Sequence, residues 1–425
     1  MKVYIKKKTS YHNPILFVLK IIEKNRNIVF EFVDSSAEAD ILWDHLHAKS
    51  QIICQLFYDE LEKDKPNLSH DKWLINNTLI VDASGNRDYI ATIFYMINCL
   101  QEFSYNDNDL DQFGRFKYES SYQYRFNNIE ENLVQKHIDY LVEKLNIEGE
   151  NKKSDIFVSH DIDTIYGSLL QDGFWAAKNF RIDVLLTILS NELIRKPHWK
   201  NIDKIIKIDS ELDIRSTFFW LVNKGKGRSN IKNADYSLRK EQKLLKMVEN
   251  AGLVNGLHKS CDEMSINEEL IKGKLNTTYN RYHFLKFLPP LDWNKISDSS
   301  LMLDASLGFA ERYGFRNSFG SAFQPYNIFK RRPHDFIEIP LNLMDGTFHK
   351  YMKIETKEIG NIIIDFFEKN KYNCHLSLLW HNTYFTNYKY NSFLKEYKKV
   401  LTYIYENKIH SLTPHEIVEE NLLSW

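Results

Sequence analysis

Residues 156–163 read Ile-Phe-Val-Ser-His-Asp-Ile-Asp, an apolar run that leads directly into a polar segment. The apolar residues predict a buried strand, and the segment from Ser159 to Asp163 would be its polar end. Residues two apart in a strand point to the same face, so Asp161 and Asp163 should project together. Two carboxylates that lie side by side in space repel each other unless a metal ion or a shared proton lies between them. The pair therefore indicates a metal-and-base site, although Asp-x-Asp also occurs in ordinary turns.

Four further apolar segments follow along the chain, and helical stretches separate several of them. These predicted strands are, in order, Ser216–Val222, Leu253–Leu257, Ile337–Leu341 and Leu376–Trp380. One of the intervening helices, Ser237–Asn250, stops before Gly252, a residue type that suits the left-handed conformation at a helix C-terminus. Repeated strand–helix units predict a parallel sheet that is either open or closed into a barrel.

The first hundred residues also alternate between strand-like and helix-like segments, which predicts a smaller α/β unit. The predicted strands are Val3–Ile5, Ile28–Val33 and Thr78–Val81, and the predicted helices are Ile15–Ile22 and Asp88–Glu102. A further helix over Ile129–Leu145 precedes the polar residues 148–153, which are typical of a solvated linker. We therefore expect an N-terminal domain over residues 1–150 and a larger domain over residues 151–425.

Composition narrows the class of protein. Hydrophobic residues make up 43% and charged residues 27% of the 425 residues, as in an ordinary globular protein. The 56 basic and 57 acidic residues leave a net charge of -1, so no nucleic-acid partner is expected. The four cysteines are scattered and predict neither a disulfide framework nor a structural zinc site. No apolar run is long enough to predict a membrane span, and no signal-peptide order is visible, so the expected location is the cytoplasm.

Three of the predicted strands end in residues that can bind a metal or carry a proton. The first runs into Asp161 and Asp163, the third into His258 and the last into His381. Active sites of barrels and open parallel sheets form at the carboxyl ends of the strands. A single histidine at a strand end is usually structural, but three such strand ends together predict an active site.

The order of these segments resembles the polysaccharide deacetylase, or NodB-homology, superfamily of metal-dependent N-deacetylases, which is carbohydrate esterase family 4-like. The motifs that carry the resemblance are residues 159–163, Ser-Thr-Phe-Phe at 216–219, Gly-Leu-His-Lys-Ser at 256–260, Arg-Tyr-His at 281–283 and Leu-Trp-His at 379–381. Residues 111–116, 306–316 and 339–347 resemble a branch of the superfamily that carries an N-terminal accessory domain. The resemblance implies a distorted (β/α) barrel of NodB-homology type over residues 151–425, preceded by a smaller α/β accessory domain over residues 1–150.

The resemblance also implies roles for individual residues. Asp161 would be the general base, Arg281 would orient it, and His381 would protonate the departing amine. Asp163 and His258 would bind a divalent cation, for which zinc is the first choice and cobalt, nickel and iron are alternatives. The family usually has adjacent aspartates in its first motif, whereas Ile162 separates them here.

The third metal ligand is left open by a second departure from the family pattern. The usual second motif has another histidine four residues after the first, and this chain has Asp262 there. A carboxylate can ligate zinc. His283 is the other candidate, because it lies two residues after Arg281 and would face the same side in extended backbone. Borderline metals favour imidazole, so we take His283 as the third ligand and keep Asp262 as the alternative.

The implied function is that of a hydrolase that removes an N-acetyl group from an amino sugar in a glycan or glycan precursor, in the biosynthesis of a surface polysaccharide. The expected partner is therefore an N-acetylated carbohydrate. One alternative is an amidohydrolase of the same fold that acts on a small non-sugar amide. The other is a catalytically silent glycan-binding protein, since fold alone does not determine function.

Overall fold

The N-terminal part of the chain contains a small parallel sheet covered by helices. The computed structural model describes residues 1–75, 78–167, 169–194, 199, 201–226, 231–386, 389–423 and 425. The strands up to residue 150 are β1 (Lys2–Ile5), β2 (Glu31–Phe32), β3 (Ile41–Trp43), β4 (Ile80–Val81) and β5 (Arg87–Asp88). The helices are α1 (His12–Arg26), α2 (Gln55–Leu61), α3 (His70–Trp73), α4 (Tyr89–Ile97), α5 (Tyr122–Arg125) and α6 (Leu133–Lys144). Strand β1 pairs in parallel with both β2 and β3, and β4 and β5 form an antiparallel pair.

The remainder of the chain builds a larger sheet with helices around it. Its strands are β6 (Asp155–Ile162), β7 (Thr217–Trp220), β8 (Val254–Lys259), β9 (Tyr279–Tyr282), β10 (Leu303–Asp304), β11 (Tyr326–Asn327), β12 (Arg332–Pro333), β13 (Ile337–Glu338), β14 (Leu343–Met344) and β15 (His375–Leu379). Its helices are α7 (Leu169–Lys178), α8 (Ile182–Leu193), α9 (Ile202–Glu211), α10 (Gln242–Asn250), α11 (Ile266–Gly273), α12 (Leu291–Ser297), α13 (Thr356–Lys369), α14 (Asn391–Glu406) and α15 (Pro414–Asn421).

Eight of these strands form one parallel sheet in the order β13-β10-β9-β8-β7-β6-β15-β14. The sheet curls as a half-barrel, and β13 and β14 are its two edges in the described part of the chain. The predicted parallel sheet is thus confirmed, and the architecture is consistent with a (β/α) barrel-like fold. The register pairs Asp161 with Phe219 and His258 with Arg281. Because the strands are parallel, their carboxyl ends all lie at the same end of the sheet. The polar residues that follow the strands therefore meet there.

Strand β6 shows how the sequence separates the two faces of this sheet. Seven of its eight residues are buried, as expected for a strand covered on both faces. Phe157 packs against Phe219 on the inner face, whereas Ile156 and Val158 join the main hydrophobic core on the outer face. His160 also points outward, as the alternation of side chains along the strand predicts for the residue next to Asp161. Its Nε2 lies 3.0 Å from a carboxylate oxygen of Asp209 in α9.

Local sequence signals agree with the observed element ends. Gly252 follows α10 with φ of +74°, which confirms its predicted position at the helix C-terminus. Helix α11 begins with a capping box between Ser265 and Glu268. Gly256, within β8, is required by packing, because a Cβ atom there would lie 2.6 Å from the ring of Phe219. Strands β9, β10 and β14 were not predicted, since they are only two to four residues long, and β9 and β10 also carry polar side chains.

One hydrophobic core runs through both parts of the chain. It includes Val3 and Phe94 from the N-terminal part together with Trp293 and Ile404 from the later part. The division at residue 150 stays a prediction, because the two parts share this core. No helix in the described residues has the length and apolar character to cross a membrane.

Candidate metal centre

The carboxyl ends of β6, β8, β9 and β15 bring the predicted site residues together. Asp161 is the second-to-last residue of β6, and Asp163 follows the strand directly. His258 lies near the end of β8, and Arg281 lies in β9. His283 opens a short 3₁₀ turn after β9 and His381 follows β15. All six candidate residues therefore lie at the end of the sheet that is formed by the carboxyl ends of the strands.

Asp163, His258 and His283 form a compact group of possible metal ligands. The Asp163 Oδ1 atom lies 3.6 Å from His258 Nε2 and 3.7 Å from His283 Nε2. The ligand atoms of all three residues lie within 4.8 Å of one another. Two ligands that each lie about 2.1 Å from a tetrahedral zinc ion are about 3.4 Å apart, so the spacing is close to what zinc requires.

Hydrogen bonding also leaves these atoms available to a metal ion. Among the described residues, Asp163 Oδ1 is buried without a hydrogen-bond partner. His258 Nδ1 lies 2.9 Å from the carbonyl oxygen of Arg281, which can only accept a proton. The ring therefore donates from Nδ1, and Nε2 is the nitrogen that faces Asp163, which is the orientation of a ligating histidine. One carboxylate and two imidazoles are a donor set that fits zinc and similar divalent ions.

The protonation states suit metal binding as well. Burial opposes the charge on Asp163, but the imidazoles of His283, His381 and His258 outweigh it and hold the pKa of this carboxyl below its usual value. Burial lowers the pKa of His283 to about 3, because the attraction of Asp163 is weaker than the cost of desolvating a charged ring. At neutral pH the cluster therefore contains an ionised carboxylate and a neutral His283, the forms that bind metals.

Arg281 fixes the position of Asp161. The fully buried guanidinium donates from Nη1 to Asp161 Oδ1 at 3.0 Å and to the Ser159 hydroxyl at 2.8 Å. Its Nε donates to the carbonyl oxygen of Ala305 at 2.9 Å, and the group lies over the ring of Phe219. The other carboxylate oxygen of Asp161 is 3.4 Å from His258 Nε2, so Asp161 borders the group of possible ligands, which consists of Asp163, His258 and His283.

His381 approaches the cluster from another side. Its Nε2 atom lies 4.0 Å from Asp163 Oδ2. Its Nδ1 lies 2.6 Å from a carboxylate oxygen of Asp345, and its backbone N–H donates to the other oxygen at 2.5 Å. Burial alone would lower the pKa of His381, but the Asp345 carboxylate raises it to about 9. His381 is therefore held in one orientation as a cation, with Nε2 directed at the cluster.

Comparisons with known proteins give partial and distant matches. Residues 1–149 match a family model described as a family of unknown function (DUF7033). No match was found among curated proteins.

Several solved structures resemble the larger part of the chain at low identity. A putative polysaccharide deacetylase from Mycobacterium smegmatis is 11% identical with a TM-score of 0.40, over 63% of this chain and 90% of that one. A peptidoglycan N-acetylglucosamine deacetylase is 10% identical with a TM-score of 0.33, over 65% and 93%. A CE4 family pseudoenzyme from Bacillus anthracis is 12% identical with a TM-score of 0.29, over 65% and 69%. At such scores these likenesses assign neither an activity nor a substrate to this chain.

Asp262, the alternative third ligand, lies outside the cluster of Asp163, His258 and His283. Its Oδ2 accepts a hydrogen bond from Asn233 at 2.8 Å, and its carbonyl oxygen accepts one from Lys259. The structure thus brings His283, rather than Asp262, to the two other ligand candidates. The same-face argument from Arg281 identified this residue, whereas the spacing within the second motif did not.

Sequence reasoning missed Asp345 as a site residue. Asp345 follows β14, whose residue Met344 pairs with Leu379 at the end of β15. It is therefore another acidic residue at the carboxyl end of a strand, the same signal that identified Asp163. The signal went unused because a two-residue strand has no periodicity to reveal it.

The turn that carries His283 is held by the N-terminal part of the chain. Phe284 and Leu285 both have positive φ, of +59° and +52°, a strained conformation for bulky side chains. Arg115 donates from Nη1 to the carbonyl oxygen of Phe284 at 2.9 Å, and Phe113 stacks on the ring of Phe284. The segment at residues 111–116 therefore stabilises the backbone that aims His283 at the cluster.

Proposed function

We propose that this protein is a metal-dependent hydrolase that removes an N-acetyl group from an amino sugar in a glycan or glycan precursor. One observation carries the proposal: two oriented proton-transfer groups border the three residues that could bind one metal ion. Asp161, held by Arg281, lies 3.4 Å from one ligand candidate, and His381, held by Asp345, lies 4.0 Å from another. Amide hydrolysis requires a base for the attacking water and an acid for the departing amine, next to a polarising ion.

Asp163, His258 and His283 would hold the divalent ion, with zinc as the first choice. When bound, the ion would supply Lewis acidity, which lowers the pKa of the attacking water and polarises the acetamide carbonyl. Cobalt, nickel and iron accept the same mixture of imidazole and carboxylate donors.

The proton transfers are assigned to the two oriented groups. Asp161 accepts a proton from the water while the water oxygen attacks the carbonyl carbon. Arg281 keeps the Asp161 carboxylate in place. His381 then donates its Nε2 proton to the sugar nitrogen as the C–N bond breaks, which releases acetate and a free amine. The Asp345 carboxylate keeps His381 charged until that step, so the acid is available at neutral pH.

The order of the sequence motifs supports an amino-sugar substrate. We also propose that the reaction is a cytoplasmic step in the synthesis of a surface polysaccharide. We likewise propose that residues 1–150 are an accessory domain of a deacetylase-like barrel over residues 151–425. The hydrogen bond from Arg115 to the carbonyl oxygen of Phe284 supports a structural contribution of the first domain to the site.

Acetate release from a substrate panel tests the proposal. The purified chain, loaded with zinc, would be incubated with N-acetylated chitooligosaccharides, with nucleotide-linked N-acetylglucosamine and with small acetamides. We expect release from at least one sugar and none from the small amides. Hydrolysis of the small amides alone would identify a non-sugar amidohydrolase, and metal binding without any hydrolysis would favour the catalytically silent alternative. If the purified protein binds neither zinc nor cobalt, the proposal of a metal-dependent hydrolase is wrong.

Metal content separates the two candidates for the third ligand. His283→Ala is expected to weaken zinc binding at least about 100-fold, because the variant loses the ligand whose Nε2 lies 3.7 Å from Asp163 Oδ1. Asp262→Ala is the matched control and should retain the affinity of the unaltered chain. Competition with a chromophoric chelator, followed by elemental analysis, measures both. Zinc loss in the Asp262 variant and not in the His283 variant would reverse the assignment.

The pH dependence of activity tests the role of His381. Because Asp345 raises the pKa of His381 to about 9, the acid form persists through neutral pH and activity should decline only as the pH rises through that value. In Asp345→Asn the imidazole loses its anionic partner, so its pKa falls and the alkaline limb moves down by about 1–3 pH units. The pH profile of kcat for acetate release measures this shift. An alkaline limb that stays in place would show that another group is the acid.

A further inference from the structure

Asp163 opens an irregular segment of backbone. Strand β6 ends at Ile162, and residues 163–167 belong to neither a strand nor a helix. In the part of the chain that the structure describes, Asp163 Oδ1 accepts no hydrogen bond. Hydrogen bonds to this oxygen therefore do not set the direction of the carboxylate. Its aim depends on whatever holds the backbone on either side of it.

Asp235 holds this segment through three backbone amides. Its Oδ1 accepts a hydrogen bond from the backbone N–H of Ile165 at 2.9 Å. Its Oδ2 accepts from the backbone N–H groups of Tyr166 and Gly167, at 3.0 and 2.8 Å. A hydrogen bond to an ionised acceptor is stronger than one between neutral groups. The carboxylate therefore fixes three consecutive peptide groups, the first of which lies two residues after Asp163.

Asp235 is itself placed on a buried part of the chain. It lies in the connection between β7 and α10, and its neighbours Ala234 and Tyr236 are both fully buried. The hydroxyl of Tyr236 donates to the carbonyl oxygen of Ile162 at 2.5 Å. Tyr236 therefore holds the backbone before Asp163, and Asp235 holds the backbone after it.

We propose that Asp235 is a positioning residue of the metal centre, which fixes the backbone after β6 so that Asp163 faces His258 and His283. The inference rests on the proposed metal site, because Asp235 positions a ligand only if Asp163 is one. It assigns the connection after β7 to the site, although none of its residues belongs to the group of possible ligands.

The distance along the chain separates this contact from an ordinary aspartate turn. In such a turn the carboxylate accepts from amides a few residues ahead, as Asp82 does from Ser84 and Asn86 between β4 and β5. The three amides that Asp235 holds are 68 to 70 residues away. Asp235 therefore does not shape its own turn, and its carboxylate is used to hold the segment that begins with Asp163.

Zinc affinity of the full chain tests the positioning role. In Asp235→Asn the Nδ2 group must face at least one of the three backbone N–H groups, so that a donor meets a donor. We expect zinc binding to weaken by about 10–100-fold, the loss that is typical when a group that orients a metal ligand is changed. Competition with a chromophoric chelator measures the affinity, and circular dichroism checks that the variant is folded.

Two further variants separate this role from a general effect of substitution. Asp235→Glu keeps both anionic oxygens and should recover most of the lost affinity, whereas a requirement for side-chain size alone would favour Asp235→Asn. The matched control is Asp82→Asn, which disturbs two hydrogen bonds between a carboxylate and backbone amides outside the site. It should leave zinc affinity within about twofold of the original value.

Hydrogen–deuterium exchange of the metal-free chain tests the contact without a metal ion or a substrate. The amides of Ile165, Tyr166 and Gly167 should exchange at least about tenfold faster in Asp235→Asn than in the unaltered chain, because their shared acceptor is weakened. Mass spectrometry of peptides that contain these residues measures the rates.

The outcomes distinguish this inference from the proposed function. Zinc binding by the unaltered chain that persists at full affinity in Asp235→Asn would overturn the inference alone. Unchanged exchange rates, or an Asp235→Glu variant that binds zinc no better than Asp235→Asn, would do the same. An unaltered chain that binds neither zinc nor cobalt would overturn the proposed function, and the inference with it.

Discussion

Asp161→Asn is expected to reduce kcat for acetate release by about 10³-fold, within the range of 10²–10⁴ that a general base contributes. The amide keeps the size of the side chain and can still contact Arg281, which donates to Asp161 Oδ1 at 3.0 Å. It cannot accept a proton from water at any accessible pH. Because Asp161 lies beside the cluster and not in it, zinc content should remain that of the unaltered chain. Steady-state kinetics together with elemental analysis measure both quantities.

A control for this variant lies on the same strand. Asp155 begins β6 at the opposite end of the sheet, where burial raises the pKa of its carboxyl to about 6. Asp155→Asn makes the same chemical change far from the site and should leave kcat within twofold of the original value. Loss of zinc in Asp161→Asn would mean that Asp161 is a ligand. Retained activity with full zinc would mean that another group activates the water.

Arg316→Met is expected to lower the free energy of unfolding by about 3–5 kcal/mol, because it leaves the Glu102 carboxylate buried without its cation. Arg316 and Glu102 are both at most 1% exposed and make two hydrogen bonds, at 2.9 and 2.6 Å. The same guanidinium donates to the carbonyl oxygens of Gly308 and Phe287. The pair therefore anchors the N-terminal part of the chain to the larger sheet. Urea unfolding followed by fluorescence measures the change.

An exposed ion pair between the same two parts of the chain provides the comparison. Arg331 lies 2.8 Å from Glu62, but the two side chains are 56% and 37% exposed. Water solvates both charges well, so Arg331→Met should cost less than about 1 kcal/mol. Equal losses from the two arginine variants would show that burial of Glu102 is not the source of the effect.

Local sequence patterns were sufficient for the central strands and their polar ends. The apolar run at 156–158 predicted β6, and the runs before His258 and His381 predicted β8 and β15, because strands buried on both faces are rich in apolar residues. The edge strand β14 extends over only two residues and leaves no such pattern, whereas the other edge strand, β13, lies within the predicted strand Ile337–Leu341. The third metal ligand could be predicted only in part. The alternation of side chains in extended backbone favoured His283, but the spacing of the second motif left Asp262 as an alternative.

The sequence by itself determined the parallel sheet and the strand-end residues Asp161, Asp163, His258 and His381. These depend on apolar periodicity and chain direction, which are properties of short segments. Only the tertiary structure decided which distant side chains meet, both in the site and between the two parts of the chain. Asp345 meets His381 across 36 residues, and Arg316 meets Glu102 across 214. Such contacts depend on how the sheet curls and on which helices cover it, so no local pattern in the chain contains them.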